Sequence, residues 1–287
     1  MKHFVSEFHT DSLSDRVRIG LMSDLHFGSS SLIKKALKAD FEYMVENDCT
    51  VGINGDVFDL VLPSDLKRFD LDALDRAMIQ QGVKPIDAAI EIAYEFIKPY
   101  AHKIKFIGIG NHEAHVYKRH HVDVLSILLY RLNQLPNVKI ENGGWCGYWN
   151  IRLIRDTKRS NYLIYRHHGA GGSAPMTKGM IDFQRMMIWQ GDVDAIWIGH
   201  KHNRISDPGA TKVVYDNRTN THKTKKVTCI MTGSYLSTYG EGEASPSYAM
   251  GWNLAPQMSG GAILELKMAE EQVQYKKSLR IDSRLIQ

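Results

Sequence analysis

The sequence predicts an α/β protein in which two packed β-sheets are flanked by helices. Strand-like and helix-like segments alternate through the first half in the order β-α-β-α-β. Beyond about residue 138 the pattern becomes almost entirely strand-like. Apolar residues make up 43% of the 287, enough for a substantial core. Two sheets with outer helices bury the apolar faces of both element types, and 1–287 reads as one domain.

RIGLMSD (18–24) is a continuous apolar run of the kind found in a buried strand. Ser30 or Ser31 then stands where a helix cap belongs, ahead of a stripe of Ile33, Leu37, Phe41, Met44 and Val45. TVGINGD (50–56) is a second buried strand, and residues 60–84 form an insertion directly after it. Such loops often shape access to a site. Pro85 suits a first helical position, and Ile86, Ala89, Ile90, Ala93 and Ile97 follow at helical spacing. IKFIGIG (104–110) is a third strand, and Val122, Leu125, Leu129 and Leu132 mark the next helix. VKIENGG, YWNIRLIRD and NYLIYRHH are closely spaced strands. A short helix around 179–190 leads to DAIWIGH (194–200), and 204–287 reads as further strands of the second sheet.

Composition narrows the function. The N-terminal MKHFVSEFHTDSLSD has no apolar signal core, and no run reaches the roughly 18 apolar residues of a membrane span. Cys49, Cys146 and Cys229 are odd in number and far apart, which argues against a disulfide framework and for a reducing, cytoplasmic setting. A net charge of +4 permits an anionic partner without requiring one.

The chemistry lies at the strand ends. The first ends in SDLH with Asp24 and His26, the second in GDVFD with Asp56 and Asp59, the third in GNHE with Asn111, His112 and Glu113. The fourth ends in HHG with His167 and His168, the fifth in GHKH with His200 and His202. Ligand sites in α/β sheets form outside the carboxyl ends of strands, so five such ends can converge. Asp24 with His26 and His200 with His202 are i, i+2 pairs, which share a face if the backbone is extended. Gly55 before Asp56 permits close backbone approach. Imidazole, carboxylate and amide donors suit Mn²⁺, Fe or Zn²⁺ rather than a thiolate-seeking metal. His167 and His168 point to opposite faces of a strand, so at most one of them reaches the site.

These motifs resemble the calcineurin-like metallophosphoesterase superfamily, whose signature is D-x-H, G-D-x-x-D, G-N-H-[DE], H and G-H-x-H. The match runs from about residue 18 to 203. It implies an αββα sandwich and a phosphoesterase working with two divalent metal ions, Mn²⁺ first, with Fe, Zn²⁺ or Ni²⁺ as alternatives. Asp24, His26 and His202 would hold one ion, Asn111, His200 and a histidine of HHG the other, and Asp56 would bridge them. The superfamily often has its ligand directly before the glycine, which favours His168. The implied reaction is hydrolysis of a phosphate ester by a metal-bridging hydroxide, with His112 as general acid and Asp59 orienting it. Glu113 is expected to be structural.

Protein phosphatases of this kind continue G-D-x-x-D with Arg-Gly, whereas Leu60 and Val61 follow Asp59 here. That disfavours a protein phosphatase and leaves small phosphodiesters, nucleotides and nucleic acids, with a phosphodiester as the leading expectation. A DNA or RNA nuclease is the nearest alternative, and a non-catalytic metal-binding scaffold the one from another class. Arg166, Lys178 and Arg119 are candidate substrate contacts. The Gly-rich 169–179 could offer backbone N–H groups to phosphate, and the basic hairpin 211–228 could follow a nucleic-acid backbone.

Overall fold

A computed structural model describes residues 1–63, 65, 69, 71–80, 84–172, 174, 176–217, 220–239, 256–273 and 276–286. Two six-stranded mixed sheets lie face to face between helical layers. One sheet has the order β12-β11-β2-β3-β4-β5, the other β1-β6-β7-β8-β10-β9. The strands are β1 Lys2–His9, β2 Val17–Met22, β3 Thr50–Ile53, β4 Ile104–Gly108, β5 Glu141–Gly144 and β6 Cys146–Arg155. The rest are β7 Lys158–His167, β8 Ala195–Ile198, β9 Ile205–Asp216, β10 Thr221–Met231, β11 Ala262–Val273 and β12 Lys276–Ile286.

Between the sheets pack Ile19 and Leu21 of β2, Phe106 of β4 and Leu264 of β11 on one side, with Trp149, Ile164 and Trp197 on the other. On the far face of the first sheet lie α1 Lys34–Glu46, α3 Pro85–Ile97 and α5 Val124–Leu132. Their buried stripes include Leu37, Phe41 and Met44 of α1 and Ala89, Ile90, Ala93 and Ile97 of α3. Phe183 of α6 Met180–Trp189 buries against the far face of the second sheet. Among the described residues no helix is long and apolar enough to cross a membrane, and Cys49, Cys146 and Cys229 are free thiols.

Two expectations change and two further elements come to light. Neither Ser30 nor Ser31 caps α1: its N-cap is Ile33, whose N–H is taken by Tyr235 O at 2.8 Å, while Ser30 Oγ bonds Asp72 O. The 204–287 strands do not all join the second sheet. β11 closes the open edge of β2 and β12 pairs with β11, so only β9 and β10 extend the second sheet. A strand at the N-terminus, β1, carries no motif and pairs in parallel with β6. A helix, α4 Asn111–His120, begins on the GNHE motif itself. Its mixed polar sequence hides the apolar periodicity, since only Glu113 and Val116 are buried. The insertion 60–84 contains a 3-10 turn, Leu71–Ala73, and α2 Arg76–Gln80; residues 64, 66–68, 70 and 81–83 lie outside the described residues.

Candidate metal centre

Strands β2, β3 and β4 run parallel in one sheet and β7 and β8 run parallel in the other. The five motif loops leave their carboxyl ends and meet. Asp24, His26, Asp56 and His168 are buried.

Three groups of side chains each bring their ligand atoms within 4.8 Å of one another: Asp24, His26 and His202; Asp56, His168 and His200; and His26, Asp59 and His112. In the first, His26 Nε2 faces His202 Nε2 at 3.1 Å, and the latter lies 3.4 Å from Asp24 Oδ1. Two imidazole nitrogens that close require a shared proton or a shared cation, and the donor set suits a divalent transition metal. In the second, His168 Nε2 lies 3.0 Å from Asp56 Oδ2 and 3.3 Å from Asn111 Oδ1. His168 Nδ1 is 2.7 Å from the carbonyl of Asn54. A carbonyl only accepts, so Nδ1 carries a proton, and Nε2 is the nitrogen turned toward Asp56 and Asn111. His167 turns away and its Nδ1 accepts from Gly169 N at 2.8 Å. The structure therefore brings His168, and not His167, together with Asp56, Asn111 and His200.

The i, i+2 pairs do not lie on extended backbone. Asp24, His26, His200 and His202 have φ of 56, 54, 66 and 56°, left-handed turns beyond the strands rather than extended backbone. Asp24 and His26 share one group, whereas the other pair divides: His202 joins that group and His200 joins Asp56 and His168. Tight turns at the sheet ends, not a shared strand face, set these directions. Asp24 and Asp56 are held by backbone as well. His200 N donates to Asp24 Oδ2 at 3.0 Å, and His112 N to Asp56 Oδ1 at 2.9 Å. Gly55, at φ 89°, is needed where it stands, because a Cβ there would lie 2.6 Å from His168 Nδ1.

Glu113 is a strut. Its carboxylate accepts from the N–H groups of Gly110 at 2.7 Å, Asp56 at 3.1 Å and Phe58 at 3.0 Å, tying the GDVFD loop to the start of α4. Two contributors were not legible as site residues. Ser23 Oγ donates to Asp24 Oδ2, and Ser23 and Thr232 hydroxyls meet at 2.6 Å. Thr232 also accepts from Trp197 Nε1 at 3.2 Å. Thr232 follows β10, a sixth strand end that lacks any ligand-type residue, so the sequence gives no sign of it.

Charge at the centre is finely opposed. Burial pushes the Asp56 carboxyl up, but the His168 and His112 imidazoles hold it well below the usual carboxylate range. Burial also works against Asp59, yet His112 brings it down to about 2. For His112, burial favours the neutral ring, and Asp56 and Asp59 override it to raise the value to about 9. Burial lowers His26 to about 4.

The proposed substrate contacts divide. Arg166 is fully buried, so it does not reach a substrate. It donates to Asn54 Oδ1 at 3.3 Å, to Gly144 O at 3.4 Å and to Gly143 O, and stacks over the Phe106 ring at 4.5 Å. Its place near the end of β7, with the side chain toward the other sheet, makes it a core residue. Lys178 and Arg119 are exposed, the latter on the His112 face of α4 about 10 Å further along. The hairpin of β9 and β10 forms as expected. Lys225 there is committed to Asp192 and Asp194 at 2.6 and 2.9 Å.

No family model matches this chain, and no curated protein matches it. Among solved structures, GAP50, the anchor in the inner membrane complex of Plasmodium, is similar over 88% of this chain and 81% of its own, at 13% identity and a TM-score of 0.44. A conserved uncharacterised protein from Streptococcus pneumoniae, described as a predicted phosphoesterase, is similar over 94% of this chain and 99% of its own, at 12% identity and a TM-score of 0.31. A Thermotoga maritima protein known by solution NMR is similar over 93% and 99%, at 14% identity and a TM-score of 0.29. At such scores the likeness carries nothing about chemistry, which has to come from the residues.

Proposed function

We propose that this chain is a phosphoesterase that works with two divalent metal ions and takes a phosphodiester. The observation that carries this reading is the meeting of seven donor residues from five strand ends in two adjoining groups. Asp24, His26 and His202 would hold one ion and Asn111, His168 and His200 the other, with Asp56 common to both. Such ions supply positive charge for a phosphoryl oxygen and a lowered pKa for water. Two divalent charges less Asp24 and Asp56 leave roughly +2, which attracts an anionic ester.

The chain's own residues supply the rest. His112 carries the proton for the leaving oxygen. Asp59 Oδ1 lies 3.0 Å from its Nδ1 and balances the charge of the protonated ring, so the Nε2 proton would be the one to transfer. Glu113 keeps Asp56 and His112 in register by fixing both loops. A diester fits better than a protein phosphomonoester, because Leu60 is buried where an arginine would grip the dianion and Arg166 is in the core.

The test is turnover with Mn²⁺ on four substrates: an aryl phosphomonoester, an aryl phosphodiester, a cyclic nucleotide and single-stranded DNA. The aryl diester should turn over fastest among the small esters. Equal activity after complete metal removal would contradict the proposal.

A further inference from the structure

We infer that Lys201, between the two histidines of GHKH, is a positioning residue that latches the glycine-rich loop after HHG and thereby sets His200 for the second ligand group. The metal arm of this inference rests on the function proposed above.

Lys201 is only 6% exposed, an unusual state for a lysine unless its three donors are satisfied. Its Nζ donates to Ala170 O at 2.5 Å and to Gly171 O and Gly172 O at 2.8 Å each. Asp182 Oδ2 of α6, 3.3 Å away, balances the charge. Three successive carbonyls turned toward one ammonium define the loop. Its glycines match that role: Gly169 and Gly171 have φ of 118 and 69°, and a Cβ on Gly169 would meet His200 Cβ at 2.7 Å. The expectation that 169–179 cradles phosphate with N–H groups gives way, for residues 170–172, to carbonyls gathered by a lysine.

The latch reaches the centre through one further bond. His200 Nε2 lies 3.0 Å from Gly171 O, the same carbonyl that Lys201 holds. Since a carbonyl only accepts, Nε2 must carry the ring proton, and Nδ1 is left with the lone pair. The i+1 position of GHKH thus fixes the tautomer of the residue before it. A ligand histidine whose second nitrogen loses its partner typically costs 10–100-fold in metal affinity.

The test replaces Lys201 with methionine, of similar length but without donors, and follows Mn²⁺ binding by calorimetry. Lys201→Met should weaken one of two sites about 10–100-fold and leave the other unchanged. Ethylammonium added to Lys201→Ala should restore part of the loss. Unchanged affinity at both sites in a folded Lys201→Met overturns the inference. If that variant does not fold, ring ¹⁵N shifts of His200 in the wild-type chain decide: a proton on Nε2 supports the latch and a proton on Nδ1 overturns it. A wild-type chain that binds no divalent metal would overturn the proposed function and the metal arm, while the same shifts still decide the latch.

Discussion

His112 and Asp59 come from different strand ends and form an ion pair, with Nδ1 3.0 Å from Oδ1. One is on the first turn of α4 and the other follows β3, so the pair exists only once the two motifs have docked. His112→Ala should slow hydrolysis of an alkyl diester by about 10²–10⁴-fold. A nitrophenyl diester, whose leaving group needs no proton, should suffer much less. Asp59→Asn should show the same leaving-group dependence with a smaller loss. Equal losses on both substrates would remove His112 from the acid role.

Adjacent histidines give a clean contrast. His168→Ala removes a ring that faces Asp56 and Asn111, and His167→Ala removes one that only accepts from Gly169 N. Metal analysis of the purified variants should find one equivalent lost in the first and none in the second. The reverse result would overturn the ligand assignment.

Arg166 tests the boundary between core and site. Arg166→Met strips the Gly143 and Gly144 carbonyls and Asn54 Oδ1 of a buried donor. Losses of about 2–4 kcal/mol in denaturant unfolding are expected, with KM for the diester unchanged in the folded fraction. A raised KM with intact stability would return this residue to the substrate.

Burial pushes the Cys49 thiol up from 9.0 to about 11. Between those values the unfolded thiol has lost its proton while the folded one keeps it, so the unfolded state binds fewer protons. Stability therefore falls as pH rises through this window, by at most roughly 3 kcal/mol. Cys49→Ala should show a shallower alkaline decline in urea unfolding than wild type. Parallel declines would contradict the effect.

Much of the centre was legible because ligand types are rare at strand ends and five of them came in order. Asp24, His26, Asp56, Asn111, His200 and His202 could be named without knowing their backbone. Their turns could not, because left-handed φ leaves no trace in an Asp or His the way it does in a glycine. Periodicity found α1, α3 and α5, whose apolar stripes face a sheet. It missed α4, where docking of Glu113 and Val116 replaces a stripe. Arg166 looked like a substrate contact because sequence proximity to HHG says nothing of which sheet face a side chain takes. The return of β11 to β2 depended on an open sheet edge, a long-range fact that local pattern does not carry.

Two adjoining groups, and not the third, are expected to hold metal. His26, Asp59 and His112 also come within 4.8 Å of one another, so they are the rival site. Anomalous diffraction from crystals grown with Mn²⁺ distinguishes them. Two peaks are predicted, one touching Asp24, His26 and His202, the other Asn111, His168 and His200, with Asp56 reaching both. A single peak between His26, Asp59 and His112, or no peak at all, would contradict the account.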